Sequence, residues 1–299
     1  MRFAYFLFLF LSTQVAYSQS VNQPITLSSE RDSQSNVVLT ATNSDVIPYT
    51  VLITYSNLQN LAPSSSVPVV ANPGQTRVGT LKPLNSGQGT NYSYTYRFVK
   101  GNIYAKTKLD PVYFIPVAEG TNVTAFKMDH IANRIREEKS DAFVGVSFRF
   151  TEPTVIVAPR KGIVSAVEMN HQNEKENLNY SANENMIEIY HEDGSFTRLS
   201  VLKSGTEKVE VGQVVFPGDI LAESAGENYL GGPHVRMVNF RYEKDGPDNF
   251  QSNVFPVTFI TEPDQQAQFA GEELLVVHPE AIKIMELNKR EIKALQSGK

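Results

Sequence analysis

Apolar and polar residues alternate along the first third of the chain, and a period of two predicts β-strands. The clearest run has an aromatic residue at every second position from Tyr92 to Phe98. Turn sequences such as Asn72-Pro73-Gly74 and Asn85-Ser86-Gly87 separate the runs. Short strands with regular turns predict an antiparallel, Ig-like β-sandwich for residues 19–110.

Short strands continue in the second half of the chain. Val144–Phe150 has the composition of a buried strand, and Asp193-Gly194 between two apolar runs predicts a β-hairpin. From Pro279 onward the apolar spacing becomes helical. The predicted class is therefore all-β with a C-terminal helix. The expected divisions are residues 1–18, 19–110, 111–265 and 266–299.

The first eighteen residues have the pattern of a secretory signal. Arg2 precedes an apolar run from Phe3 to Leu11, and small residues stand before an expected cleavage between Ser18 and Gln19. The run is too short to span a bilayer as a helix. We therefore expect a secreted or periplasmic protein that does not span the membrane.

Composition removes several functional classes. The chain has 27 Lys and Arg against 32 Asp and Glu, a formal net charge of −5, so no nucleic-acid partner is expected. It contains no cysteine, which excludes disulfides, thiolate metal sites and a cysteine nucleophile.

Residues 154–241 resemble the lysostaphin/LytM-type zinc endopeptidases of bacterial cell walls, a metallopeptidase family. The likeness is carried by an A-x-x-x-G-x-V strand entry, a hairpin ending in His-x-Asp-Gly, a V-x-x-G-x-x-V-x-x-G run and a G-P-H-x-H type motif. The segments of this sequence that resemble these motifs are Ala158–Val164, Ile187–Gly194, Val211–Ala222 and Gly231–Arg236. The resemblance implies a LytM-type β-sandwich for residues 111–265.

The resemblance also implies a zinc site, which this chain does not reproduce. The family holds zinc with a His and an Asp of one motif and with the second His of His-x-His, and the metal activates water. Here Arg236 replaces that second His, Ser147 stands at the Asp, and only His130 lies upstream as a candidate first ligand. A further assisting His falls on Val201.

The remaining histidines are expected to have lost their original roles. His234 matches the first His of His-x-His and is expected to be a remnant of a catalytic residue. His191 matches the hairpin His, which the resemblance implies is not a metal ligand. Because arginine does not give up its proton, we expect no zinc or other cofactor and no catalysis. A groove that binds an anion through Arg236, Ser147 and His191 is one prediction, and pairing of Arg236 with a nearby acid is the other.

The predicted function is that of a secreted, inactive peptidase homologue that binds cell-wall peptide or regulates a wall hydrolase. The alternative is an active zinc endopeptidase with rearranged ligands, His130 and His234 among them. A third hypothesis is a structural surface protein whose sandwich makes the contacts.

Overall fold

The computed structural model describes residues 23–64, 67–106, 110–128, 143–172, 176–178, 181, 183–263 and 267–297. The expected signal segment 1–18 and His130 lie outside these residues. Within them, strands dominate and the helical turns are confined to the C-terminal end. The all-β class and the C-terminal helix are confirmed, whereas the domain boundaries stay predictions.

The N-terminal sandwich pairs one antiparallel sheet of order β1-β2-β6-β4 with another of order β5-β3-β7. Its buried side chains, such as Leu39, Val51 and Leu81, fill the space between the sheets. The tyrosines of the aromatic row are partly buried and pack against this core. The strands are β1 Ile25–Arg31, β2 Val37–Asn43, β3 Tyr49–Gln59, β4 Leu61–Pro63, β5 Val69–Ala71, β6 Gly74–Pro83 and β7 Asn91–Lys100.

The second half of the described chain forms a large sheet with the order β15-β12-β13-β14-β17-β10-β9-β20, and β18 pairs with β17 beside this path. Two small sheets, β11 with β16 and β8 with β19, lie outside it. The strands are β8 Val112–Tyr113, β9 Asn122–Lys127, β10 Val146–Arg149, β11 Val155–Val157, β12 Gly162–Glu168, β13 Met186–Tyr190, β14 Ser195–Ser200, β15 Val214–Val215, β16 Ile220–Glu223, β17 His234–Asp245, β18 Asn249–Val254, β19 Thr258–Phe259 and β20 Ala270–Leu275.

The large sheet has two unlike faces because side chains alternate along each strand. The core face carries Leu199, Val235 and Met237, which are buried in the main hydrophobic core. The opposite face, called here the groove face, carries Arg236 and Ser147.

The N-terminal sandwich covers one end of the groove face. Tyr190, Phe196 and Phe240 from the large sheet belong to the same buried cluster as the sandwich core. Gly101, just after β7, lies so close that a Cβ there would be 3.0 Å from the Phe196 ring. The other end of the groove face, which carries Arg236, lies beyond this contact.

A buried carboxylate reinforces this junction. Glu188 of β13 is bound by Lys100 of the sandwich at 3.2 Å and by Arg198 of β14 at 2.7 Å. Burial alone would raise the pKa of Glu188, but the charges of Lys100 and Arg198 hold it below its ordinary value. The ionised carboxylate therefore ties the last strand of the sandwich to the large sheet.

The C-terminal region differs in detail from the single terminal helix that the broken apolar stripe predicts. It forms two short helices, α1 Glu280–Lys283 and α2 Lys289–Gln296. Asn288 caps α2 in a reciprocal capping box with Glu291, which starts a new helix there. β20 comes from the region expected to contain the terminal helix, yet it pairs with β9 in the large sheet.

Candidate functional site

The two residues predicted at zinc-ligand positions lie directly opposite each other on neighbouring strands. Ser147 of β10 is the register partner of Arg236 of β17, and Ser200 of β14 faces Arg236 from the other side. Directly opposite residues of an antiparallel pair point to the same face. Ser147, Arg236 and Ser200 therefore form one row across the groove face.

Arg236 forms a buried ion pair with Glu184, which precedes β13. The side chain of Arg236 is only 4% exposed and that of Glu184 12%, and the guanidinium Nη1 donates to Glu184 Oε1. Ser200 Oγ donates to the other carboxylate oxygen at 2.9 Å, and the Tyr229 hydroxyl donates to Oε1 at 2.9 Å. The guanidinium also lies 5.3 Å from the Tyr229 ring centroid. Of the two predictions made for Arg236, the structure contains the pairing with a nearby acid.

His234 shares this face, two residues before Arg236. It is buried, and its Nδ1 lies 2.8 Å from the carbonyl oxygen of Gly232. Because a carbonyl only accepts, Nδ1 carries the proton and donates. The ring meets Tyr229 edge to face at 5.0 Å between centroids. Tyr229 thus links His234 and the Arg236–Glu184 pair.

The side chains around Arg236 do not suit a zinc ion. A guanidinium remains protonated and has no lone pair for a metal, and its charge repels a cation. Glu184, the nearest carboxylate, already accepts hydrogen bonds on both oxygens. In the parts of the chain that the structure describes, no three His, Cys, Asp or Glu side chains are grouped as a metal site would require.

Val201 stands where the resemblance implies an assisting histidine, and its backbone conformation is unusual. Val201 follows β14 directly and has a φ of +67°, a left-handed conformation that is rare for a β-branched residue. Its side chain is buried. The strand β14 ends at Ser200, directly before this residue.

Two pockets border the groove face, one beside the ion pair and one beside Arg149. One of about 360 Å³ is bordered by Glu184, Tyr229 and Val201, together with the polar side chains of Asn183 and Lys203. The other, of about 580 Å³, is bordered by Thr124, Phe126, Arg149, Thr151 and Gly231, among others. Both are lined by polar and apolar side chains.

His191 does not belong to this groove, contrary to its predicted place beside Arg236 and Ser147. It is fully buried, with Nδ1 2.7 Å from the Lys161 carbonyl oxygen and Nε2 2.7 Å from Thr197 Oγ1. Thr197 also accepts from Asn239, and both residues lie on the core face. His191 is thus part of the packing beneath the hairpin.

We predict that His191 stays neutral well into the acid range. Burial, aided by the Arg160 charge, lowers the pKa of His191 to about 3 from an ordinary value of 6.5. Below pH 6.5 the unfolded chain binds a proton at His191 that the folded chain does not bind. The free energy of unfolding should therefore fall on acidification from pH 6.5 towards 3, by at most about 1.4 kcal/mol per pH unit from this group.

NMR measures this directly. The imidazole carbon signals of His191 should not shift between pH 8 and pH 5, and His191→Gln should reduce the pH slope of stability while His171→Gln, at a partly exposed site, preserves it. A His191 titration midpoint above pH 5 would contradict the assignment.

Comparisons with known proteins show distant similarity only. No protein-family model matches this chain, and no curated protein matches it. Similar solved structures include Csd3 of Helicobacter pylori, with 11% identity, coverage of 91% of this chain and 83% of that chain, and a TM-score of 0.33. A zinc-containing peptidase from Vibrio cholerae has 13% identity, coverage of 71% and 81%, and a TM-score of 0.25. A chain of a SpoIIQ–SpoIIIAH pore-forming complex has 17% identity, coverage of 48% of this chain and 89% of that chain, and a TM-score of 0.30. These values do not establish a family, so the LytM-type likeness of residues 154–241 remains a resemblance.

Proposed function

We propose that this protein is a secreted, non-catalytic member of the wall-peptidase type that binds cell-wall peptide along the groove face. The observation that carries the proposal is the buried Arg236–Glu184 ion pair at the position where the sequence resemblance implies a metal ligand. The signal-like N-terminus and the order of the four motifs support an envelope location and a peptide ligand.

The chemistry of the pair favours binding over hydrolysis. Amide hydrolysis by this type of site requires a Lewis acid that activates water and polarises the carbonyl. The Arg236 charge is neutralised by Glu184, whose oxygens are in turn held by Ser200 and Tyr229. No base or metal ligand is left unengaged among these four side chains. They therefore stabilise the groove face without supplying a nucleophile.

The groove offers a peptide polar partners on both sides of the pair. Asn183 borders the smaller pocket, and Asn122, Thr124 and Thr151 border the larger one. Amide and hydroxyl groups both donate and accept, which matches the alternating donors and acceptors of a peptide backbone. The proposed ligand lies across the strands between the two pockets.

The described residues contain no helix that is long and apolar enough to cross a membrane. Binding of the purified chain from Gln19 to Lys299 to isolated peptidoglycan sacculi tests the proposal. We expect it to sediment with sacculi and to release no soluble fragments, with or without added zinc. Asn183→Trp, which fills the smaller pocket at an exposed position, should reduce sedimentation, while Asn253→Trp on exposed β18 should not.

Two results would overturn the proposal. One is the absence of wild-type protein from the sacculus pellet. The other is release of muropeptides that a chelator abolishes and zinc restores, which would favour the active endopeptidase.

A further inference from the structure

A second row of side chains crosses the groove face next to the Arg236 row. Arg149 of β10 is the register partner of His234 on one side and of Thr124 on the other, and Thr124 in turn faces Glu273 of β20. All four side chains point to the groove face because directly opposite residues share a face. A basic and an acidic residue thus flank Thr124, each one strand away.

Arg149 differs from the buried arginines of this protein in having no carboxylate partner. Arg236 and Arg160 each hold at least one carboxylate at hydrogen-bond distance. Arg149 stacks on the Phe126 ring, 4.6 Å from its centroid, and within the described ranges no hydrogen bond or ion pair reaches its guanidinium. Its donors are therefore available to a ligand.

The surroundings of Arg149 have the form of a small binding pocket. The guanidinium borders the space of about 580 Å³ together with Asn122, Thr124 and Thr151. Gly231 closes one side, and a Cβ at that position would lie only 3.0 Å from Arg149 Cζ. Because Gly231 has no side chain, the space that the Arg149 guanidinium occupies stays open.

We infer that this pocket binds the free carboxylate of a peptide, with Arg149 as its anion partner; this rests on the proposed peptide-binding function of the groove. A guanidinium donates two parallel hydrogen bonds to a carboxylate, and stacking on Phe126 fixes its plane. Thr124 supplies a hydroxyl donor beside it. Glu273 at the rim repels ligands of higher negative charge, which favours a monoanionic carboxylate over a phosphate.

The test is an NMR titration of the full mature chain with two synthetic probes, acetyl-alanyl-alanine and its C-terminal amide. We expect the free acid to shift backbone signals of β9 and β10, and the amide to bind about tenfold to a hundredfold more weakly. A third probe, acetyl-glutamic acid amide, distinguishes a side-chain carboxylate from a terminal one.

Three variants make the test specific. Arg149→Gln should lose the preference for the acid. Gly231→Ala should weaken binding while keeping the charge, because its methyl group presses on the guanidinium. Arg241→Gln is the matched control, since Arg241 also stacks on a phenylalanine, Phe255, but lies on the core face. Thermal unfolding confirms that each variant is folded.

Equal affinity for the acid and the amide, or an unchanged preference in folded Arg149→Gln, would overturn the inference. If sacculi still sediment the wild-type protein in that case, the proposed function stands without this carboxylate site. If the probes bind as expected but sacculi do not, the carboxylate site stands and the cell-wall ligand is wrong.

Discussion

Replacing Glu184 with alanine should lower the free energy of unfolding by about 3 kcal/mol. The variant leaves the Arg236 guanidinium buried without the carboxylate that neutralises it, and it removes the acceptor of Ser200 and Tyr229. Breaking a buried pair from one side is costly because the remaining charge has lost both water and partner. Urea unfolding at pH 7 measures the change.

Glu223→Ala provides the matched control. Glu223 pairs with Lys203 at 3.5 Å, but both side chains are about half exposed, at 51% and 54%. Exposed pairs of this kind contribute about 0–1 kcal/mol. If Glu184→Ala costs no more than Glu223→Ala, Glu184 does not anchor Arg236, and Arg236 becomes available again as an anion-binding residue.

Replacing Arg160 with alanine should cost more, about 4 kcal/mol. Arg160 is 2% exposed and binds Asp193 at 2.9 Å, Glu286 through two nitrogens and the Tyr113 hydroxyl at 2.9 Å. Without it, Asp193 remains a buried carboxylate in the β13–β14 turn, and Glu286 loses one of the contacts that tie the C-terminal region to the sheet.

The pH dependence identifies the cause. Burial alone would raise the pKa of Asp193, but the Arg160 charge, with hydrogen bonds from Ser195, lowers it below its ordinary value. A lowered carboxyl pKa contributes stability above the unfolded value near 3.8 and loses it as the pH falls further. The difference in the free energy of unfolding between wild type and Arg160→Ala should therefore decrease below about pH 4. Lys203→Ala, which breaks the exposed pair, should show neither the loss of stability nor this pH dependence.

Local turn chemistry made parts of the fold predictable from sequence. Asp193-Gly194 predicted a hairpin, and β13 and β14 pair around it, with Gly194 at a φ of +82° that glycine adopts without strain. A terminal helix was predicted from a broken apolar stripe, but the gap in the stripe was not interpreted as a break between two helices. The interruption arises from the cap at Asn288, a short-range polar effect that apolar periodicity does not report.

The candidate site was only partly predictable, because its partners come from distant parts of the chain. The resemblance placed Ser147 and Arg236 at related positions, and the sheet register brings them opposite each other. Glu184 sits at the end of a polar loop, and nothing in its local sequence indicates that it meets Arg236 fifty-two residues later. Arg149 was missed for the same reason, because its lack of a carboxylate partner is visible only when the neighbouring side chains on β9 and β17 are known.

The error on His191 has a physical cause as well. A residue at a strand end can point to either face, and one step along the strand reverses the choice. The sequence showed a histidine next to a hairpin, but only the pairing of Thr197 with Asn239 reveals that it faces the core.

The contact of Gly101 with the Phe196 ring means that the chain leaves β7 already packed on the large sheet. Lys100, one residue earlier, is bound to Glu188, so two adjacent residues hold the end of β7 against the large sheet. An attachment at the N-terminal sandwich would therefore also set the orientation of the groove face.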